Sequence, residues 1–248
     1  GRNRSQCCGW PLVFNKLRKA EICMGGKPDV IAETGLQFFG RMSASISHEI
    51  KNVLAIVNEN AGLLADYSIM AEEGMPLDPV RLKKMASTMM YQVSRADEIT
   101  KNMNCLAHSI DDTIADVELK EIIELFMALT DRLTAMRKIT VEPKLSGTPV
   151  KIKTAPFFLM NLLWLCLEFA MAAGGDIKQI ELITEQTKNG ANIRFTQLAG
   201  LSVSPKQTFP SERAKCLLGL LAADMAVDAG GGEILLKLPE NIERNPSI

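Results

Sequence analysis

His48 stands in the run Ser47-His48-Glu49-Ile50-Lys51-Asn52 and is one of only two histidines in 248 residues. Neutral imidazole is a competent nucleophile near neutral pH, and it can attack the phosphoryl group of an acyl phosphate in line and later return it. Around His48, apolar residues recur in steps of three and four at Phe39, Met42, Ile46, Ile50, Val53, Val57, Ala61 and Leu64. At ~100° per helical residue His48 lies roughly 160° from Ile50, so its ring is expected to point away from that stripe into water. Glu49 could hydrogen-bond the imidazole N–H or take up its proton. Asn52, one turn on, could orient a water, and Lys51 could offset phosphoryl charge. Read without context, Glu49 and Lys51 are solvated helix charges and Asn52 a surface polar residue. A water-facing imidazole beside a carboxylate on a rigid helix is suited to exchanging a phosphoryl group.

The elements that must hold this constellation can be read from pattern and punctuation. Residues 30–73 predict one long helix, closed by Gly74, which can take the left-handed position after the last turn. After a short turn, Asp78-Pro79 opens a second helix with aspartate as N-cap and proline at the first helical position. Its seam runs Leu82, Met85, Met89, Gln92, Ala96, Ile99, Met103, Leu106, Ile110, with Gln92 the one polar member. Two antiparallel helices bury little of such a stripe by themselves, and pairing two hairpins into a four-helix bundle closes it, so a homodimer is expected. Ala55, Glu59 and Gly62 continue the His48 face and could admit a partner's helix.

The texture changes near Asp116. A helix is expected over 117–136, strands over 139–143 and 150–152, and a buried helix from Pro156 to Ala173. Strands follow over 177–184 and 191–197, then a helix over 211–229. Gly230-Gly231-Gly232 leads into a last strand over 233–238. The fold class expected is therefore α+β, a helical hairpin followed by an α/β sandwich. The domains are 1–30 as an arm or linker, 31–115 as the hairpin, 116–240 as the α/β domain and 241–248 as a tail.

The totals exclude several classes. A net charge of −1 gives no bulk attraction to nucleic acid or membrane. The apolar run 156–173 is interrupted by Asn161 and Glu168 and suits a buried helix better than a membrane span. Six cysteines contain no Cys-x-x-Cys pair, and with two histidines no zinc set assembles by spacing. Cys105, Cys166 and Cys216 fall inside apolar patterns and read as buried free thiols, which suits a reducing cytoplasm. No signal peptide is apparent. His108 reads as structural or exposed, and Met85, Met89, Met103, Phe157, Phe158 and Trp164 read as core.

This order of parts resembles the core of bacterial sensor histidine kinases over about Thr34 to Leu238. Ser47 to Asn52 looks like the family's H-box, which implies that His48 is the phosphoryl acceptor. Asn161-Leu162-Leu163-Trp164-Leu165-Cys166 looks like the N-box, but the asparagine that would hold Mg²⁺ with the nucleotide phosphates falls at Leu165. Where the family has its Asp-x-Gly-x-Gly loop this chain has Gln197, Ala199 and Leu201. Where a glycine-rich phosphate loop belongs, Cys216-Leu217-Leu218-Gly219-Leu220 keeps one glycine. Close backbone approach to phosphate needs residues without Cβ, and Mg²⁺ needs oxygen ligands.

The pattern resembles histidine phosphotransferases that derive from kinases. It implies a cytoplasmic relay passing a phosphoryl group through His48 between receiver-domain aspartates of response regulators. Such a relay would have no bound cofactor or metal of its own, Mg²⁺ being supplied by the receiver. The alternatives are a divergent ATP-dependent histidine kinase, and a non-catalytic regulator docking on a kinase or receiver.

Overall fold

A computed structural model describes residues 28–111, 113–173, 177–198, 201 and 209–244. The arm expected over 1–30 falls outside the described residues except for its last three, and those already belong to the first helix. The long helices are α1 (Pro28–Glu72) and α2 (Pro79–His108). The later elements are β1 (Ala115–Glu118), α3 (Leu119–Ala135), β2 (Thr140–Lys144), β3 (Lys151–Thr154), α4 (Pro156–Ala173), β4 (Gln179–Thr187), β5 (Gly190–Thr196), α5 (Glu212–Leu220), β6 (Asp224–Asp228) and β7 (Glu233–Pro239). A single 3₁₀ turn, Ile242–Arg244, follows. The architecture is α+β.

The ends of the hairpin are capped as their residue types dictate. Gly74 sits at φ +87°, where a side chain would be strained, and its N–H donates to the Ala71 carbonyl at 3.0 Å. Asp78 Oδ1 accepts from the Val80 N–H at 2.9 Å, satisfying a backbone donor of the first α2 turn.

The chain divides into two compact units, one of Arg41–Cys105 and one of the residues up to Gly40 together with those from Leu106 onward. In the hairpin unit the heptad seam is present as the spacing requires. Met85, Gln92 and Ile99 are buried, while Leu82, Met89, Ala96 and Met103 are half-buried. Met42, Ile46 and Val53 of α1 are buried, with Ile50 and Val57 half-buried. The α1 stripe departs from expectation at both ends. Ala61 and Leu64 are exposed, and at the start Phe38 is buried at 2% exposure while Phe39 is half-buried. At the start the cause is a change of partner, since the opening turns of α1 pack on α4. There Phe38 meets Phe157 edge-to-face at 5.6 Å, and a Cβ on Gly35 would stand 3.3 Å from the Phe157 ring. Arg213 of α5 adds hydrogen bonds to Gln37 Oε1 (2.5 Å) and Glu33 Oε1 (3.3 Å).

The second unit is built on a five-stranded sheet of order β2-β4-β5-β7-β6, with β2 parallel to β4 and every other pairing antiparallel. One sheet face is apolar by strict alternation, with Ile180, Leu182, Ile193, Phe195, Ile234 and Leu236 all fully buried. Helix α4 is buried along nearly its whole length, as a run of that hydrophobicity must be, and α3 contributes Leu119, Ile123 and Phe126. Trp164, Phe157 and Phe158 lie in this core as expected. The β4–β5 turn needs Gly190, at φ +146°, because a Cβ there would fall 2.0 Å from the Leu238 carbonyl oxygen.

Three expectations are corrected. The helix expected over 211–229 ends at Leu220, and residues 224–228 form the edge strand β6, paired with β7 from Asp224↔Lys237 to Asp228↔Glu233. Alanine, leucine and methionine favour helix here, but hairpin pairing across the Gly230–Gly232 turn overrides them. Asp228 Oδ1 secures that turn by accepting from the Gly231 N–H at 2.9 Å. Val117 and Glu118, expected at a helix start, belong instead to β1, which pairs antiparallel with β3. Cys105 is exposed, because it falls between the seam positions Met103 and Leu106, whereas Cys166 is buried and Cys216 half-buried. Burial pushes the Cys166 thiol well above its usual range.

Candidate functional site

His48 is exposed on the middle of α1, on the face opposite the seam. The helix places it because Met42, Ile46 and Val53 turn inward against α2, leaving position 48 no core to enter. Asn52, one turn further, is exposed on the same side, as are Lys51, Ala55, Glu59 and Gly62. Ser47 Oγ donates to the Ser43 carbonyl at 2.8 Å and so completes a local helix bond.

Glu49 sits differently from its neighbour. A step of ~100° carries it from the His48 face toward α2. Its side chain is 13% exposed, and Oε2 lies 3.8 Å from Arg95 Nη2 of α2, whose side chain is 45% exposed. Arg95 thus reaches the α1 turn that carries His48. It was not among the residues singled out from sequence. Its signal was its place on the flank of the seam, three residues after Gln92 and four before Ile99, where an opposite charge across an antiparallel hairpin can pair. The other histidine, His108, is exposed at the end of α2, with Nδ1 3.0 Å from Asp111 Oδ2.

The segments compared above with nucleotide-binding elements carry apolar side chains. Leu165 is half-buried on α4, and Leu198, Leu201 and Leu217 are buried at 0%, 3% and 0% exposure. Gln197 takes φ +66° after β5, and its side chain is among the groups that hold the Glu181 carboxyl below its usual range. Lys144 Nζ, 2.5 Å from Glu181 Oε1, is the main reason the Glu181 carboxyl is held below its usual range. Phe169 of α4 stacks face-to-face on Phe209 at 4.2 Å. Asn161 is fully buried with neither amide atom partnered by protein. Ala199 lies outside the described residues. A polar cleft lined by Lys188, Asn192, Asp224, Lys237 and Glu240 lies at the opposite end of β5 from Gln197. Among the described residues no group of three or more His, Cys, Asp or Glu could hold a metal ion, and no helix is long and apolar enough to cross a membrane.

No protein-family model and no curated protein matches the chain. Among solved structures it is similar to the Acinetobacter baumannii histidine kinase AdeS, at 12% identity over 78% of this chain and 98% of that one, with a TM-score of 0.43. It is similar to a bacterial phosphotransferase at 12% identity over 81% of this chain and 95% of that one, TM-score 0.43. A third similar structure is the histidine kinase ThkA in complex with the response regulator protein TrrA, at 13% identity over 94% of this chain and 67% of that one, TM-score 0.42.

Proposed function

We propose that the chain is a histidine phosphotransferase of two-component signalling. It accepts a phosphoryl group on His48 from a receiver-domain aspartate and passes it to another receiver, without binding ATP. The observation that carries the reading is a solvent-facing imidazole in mid-helix, with a carboxylate held at the next residue and an amide one turn on. In the transfer, the P–O bond of the aspartyl phosphate breaks and an N–P bond forms at the imidazole nitrogen. The aspartate leaves as carboxylate, and the proton on the other ring nitrogen passes to Glu49 or water. The reverse sequence reloads a second aspartate. Such chemistry needs positioning and charge stabilisation rather than further covalent groups, and Mg²⁺ is supplied by the receiver's acidic site.

Independence from ATP is supported by the leucines. Leu165 offers no oxygen to a metal, and Leu201 and Leu217 occupy with buried side chains the positions where backbone would approach phosphate. These residues do not fit a Mg-nucleotide. In this reading Asn52, exposed one turn on, orients a water against a receiver's phosphoryl group.

The acting species is a two-fold dimer. Leu54, Met90 and Val93, exposed at 58%, 74% and 53%, lie off the seam on the flank away from His48, and Leu64, 40% exposed, ends the α1 stripe. A second hairpin covers them and leaves the imidazole free. The setting proposed is the cytoplasm, where receiver domains act and where a free buried thiol such as Cys166 stays reduced.

The test is to mix the protein with a receiver carrying labelled aspartyl phosphate. Label is expected on the wild type and absent from His48→Ala. A wild type that stays unlabelled with a panel of receivers, or label that survives His48→Ala, would overturn the assignment. Autophosphorylation of the chain from Mg-ATP would replace it with the kinase reading.

A further inference from the structure

The α1 turn that carries His48 is met by a cation from the facing helix, Arg95. Arg95 lies with Nη2 3.8 Å from Glu49 Oε2, near the outer limit of an ion pair, and its side chain is 45% exposed while that of Glu49 is 13% exposed. The carboxylate is therefore the fixed member and the guanidinium the mobile one. A phosphoryl group on His48 brings about two negative charges to the residue next to this carboxylate. Glu49 and the phosphoryl group would repel unless a cation lies between them, and a planar guanidinium can bond two oxyanions at once.

We propose that Arg95 is a phosphoryl-binding residue of the relay. It pairs with Glu49 when His48 is free and turns to bridge Glu49 and the phosphoryl oxygens when His48 is loaded. The inference rests on the reading of His48 as acceptor. Lys51, exposed three residues beyond His48, is the rival cation; it lies on the far flank of that face, away from α2.

Arg95 also gives Glu49 a defined task. While the guanidinium stands against the carboxylate as an ion pair, Glu49 is a poorer acceptor for the imidazole proton. Once the guanidinium turns to bridge the phosphoryl oxygens, its charge is shared between the two anions, and Glu49 becomes a better acceptor for the one N–H proton that the phosphorylated imidazolium must lose. Loading and deprotonation are thereby coupled through one side chain, and the coupling runs backward when the group leaves.

Phosphoramidate tests this on the whole 248-residue chain without any receiver. Its P–N bond breaks, ammonia leaves with a proton, and a new N–P bond forms on the imidazole, so loading of His48 is read directly. His48→Ala supplies the background, including any label on His108. Arg95→Gln is expected to lower the yield of His48 phosphate about tenfold, the scale of one partly exposed charge-assisted hydrogen bond. Arg95→Lys is expected to recover part of it, and Lys51→Gln to leave it near wild type. The ³¹P resonance of the loaded wild type should move with the Arg95→Gln change, whereas circular dichroism and dimer mass should not. In the Arg95→Gln, Glu49→Gln double variant the loss should be smaller than the product of the two single losses, because the repulsion Arg95 relieves is gone.

Equal loading of Arg95→Gln and wild type would overturn the inference, as would a loss that follows Lys51 instead. A wild type that takes no phosphoryl group from phosphoramidate overturns it too. If phosphoramidate loads the wild type in the expected order of variants but no receiver exchanges with it, the relay reading fails and the role of Arg95 stands.

Discussion

Replacing Leu54 by glutamate should split the proposed dimer while leaving each hairpin folded. Leu54 is 58% exposed in the single chain, so a second copy has that fraction of its surface left to cover. Full burial of a leucine contributes about 1.5–3 kcal/mol, which leaves roughly 0.9–1.7 kcal/mol for each copy of Leu54. Two-fold symmetry doubles this to roughly 1.7–3.5 kcal/mol, or about 15- to 300-fold in dissociation constant. Burying two unpaired carboxylates adds to the loss, so the figure is a lower bound. Sedimentation equilibrium on the full chain reads the result. The wild type is expected at twice the chain mass at micromolar concentration, and Leu54→Glu at the single mass with unchanged helical content. Ala55→Glu, one residue along on the exposed His48 side, is the control and should stay dimeric. A monomeric wild type, or a Leu54→Glu protein that keeps its dimer, refutes the placement of the interface.

Three further outcomes follow from particular contacts. Gln92 is 7% exposed in the seam with Oε1 unpartnered, so Gln92→Leu should stabilise the hairpin by about 1 kcal/mol, and a lower melting temperature would show that the amide is satisfied in solution. Gly190→Ala should destabilise the α/β unit severely, because its Cβ would meet the Leu238 carbonyl oxygen at 2.0 Å; unfolding by urea with an unchanged midpoint would contradict the turn geometry. Glu181 is held below its ordinary value of 4.5 chiefly by Lys144, so its contribution is complete above that pH and is lost as pH falls through the lower folded value. Glu181→Gln should therefore flatten the acid limb of the stability curve below pH 4.5, and an unchanged limb would show that the Lys144 contact is not formed.

Most of the hairpin was legible in the sequence because its signals are local. Gly74, Asp78 and Pro79 cap helices by their own chemistry, and a seam of threes and fours has one geometric solution. The register slipped from Phe38 to Phe39 where the partner changed from α2 to α4, which no periodicity within α1 could report. Strand β6 was hidden for a related reason. Ala226 and its neighbours have helical propensity, and only the pairing of β6 with β7, closed by Asp228 and the glycine turn, makes them a strand. The outward position of His48 was legible as an angle. Arg95 was not, since its meaning depends on which α2 residue stands opposite Glu49 once the hairpin closes. The inward packing of Leu198, Leu201 and Leu217 likewise needed the fold, although the loss of oxygen at Leu165 did not.

The most direct test of the central claim is a relay between two receivers with no nucleotide present. One receiver enters with labelled aspartyl phosphate, the second enters empty, and the chain is added in catalytic amount. The account predicts that label reaches the second receiver with the wild type, pausing as a base-stable, acid-labile phosphate on His48, and that His48→Ala stops it. Transfer that persists with His48→Ala, or a wild type that moves label only when ATP is added, would contradict it.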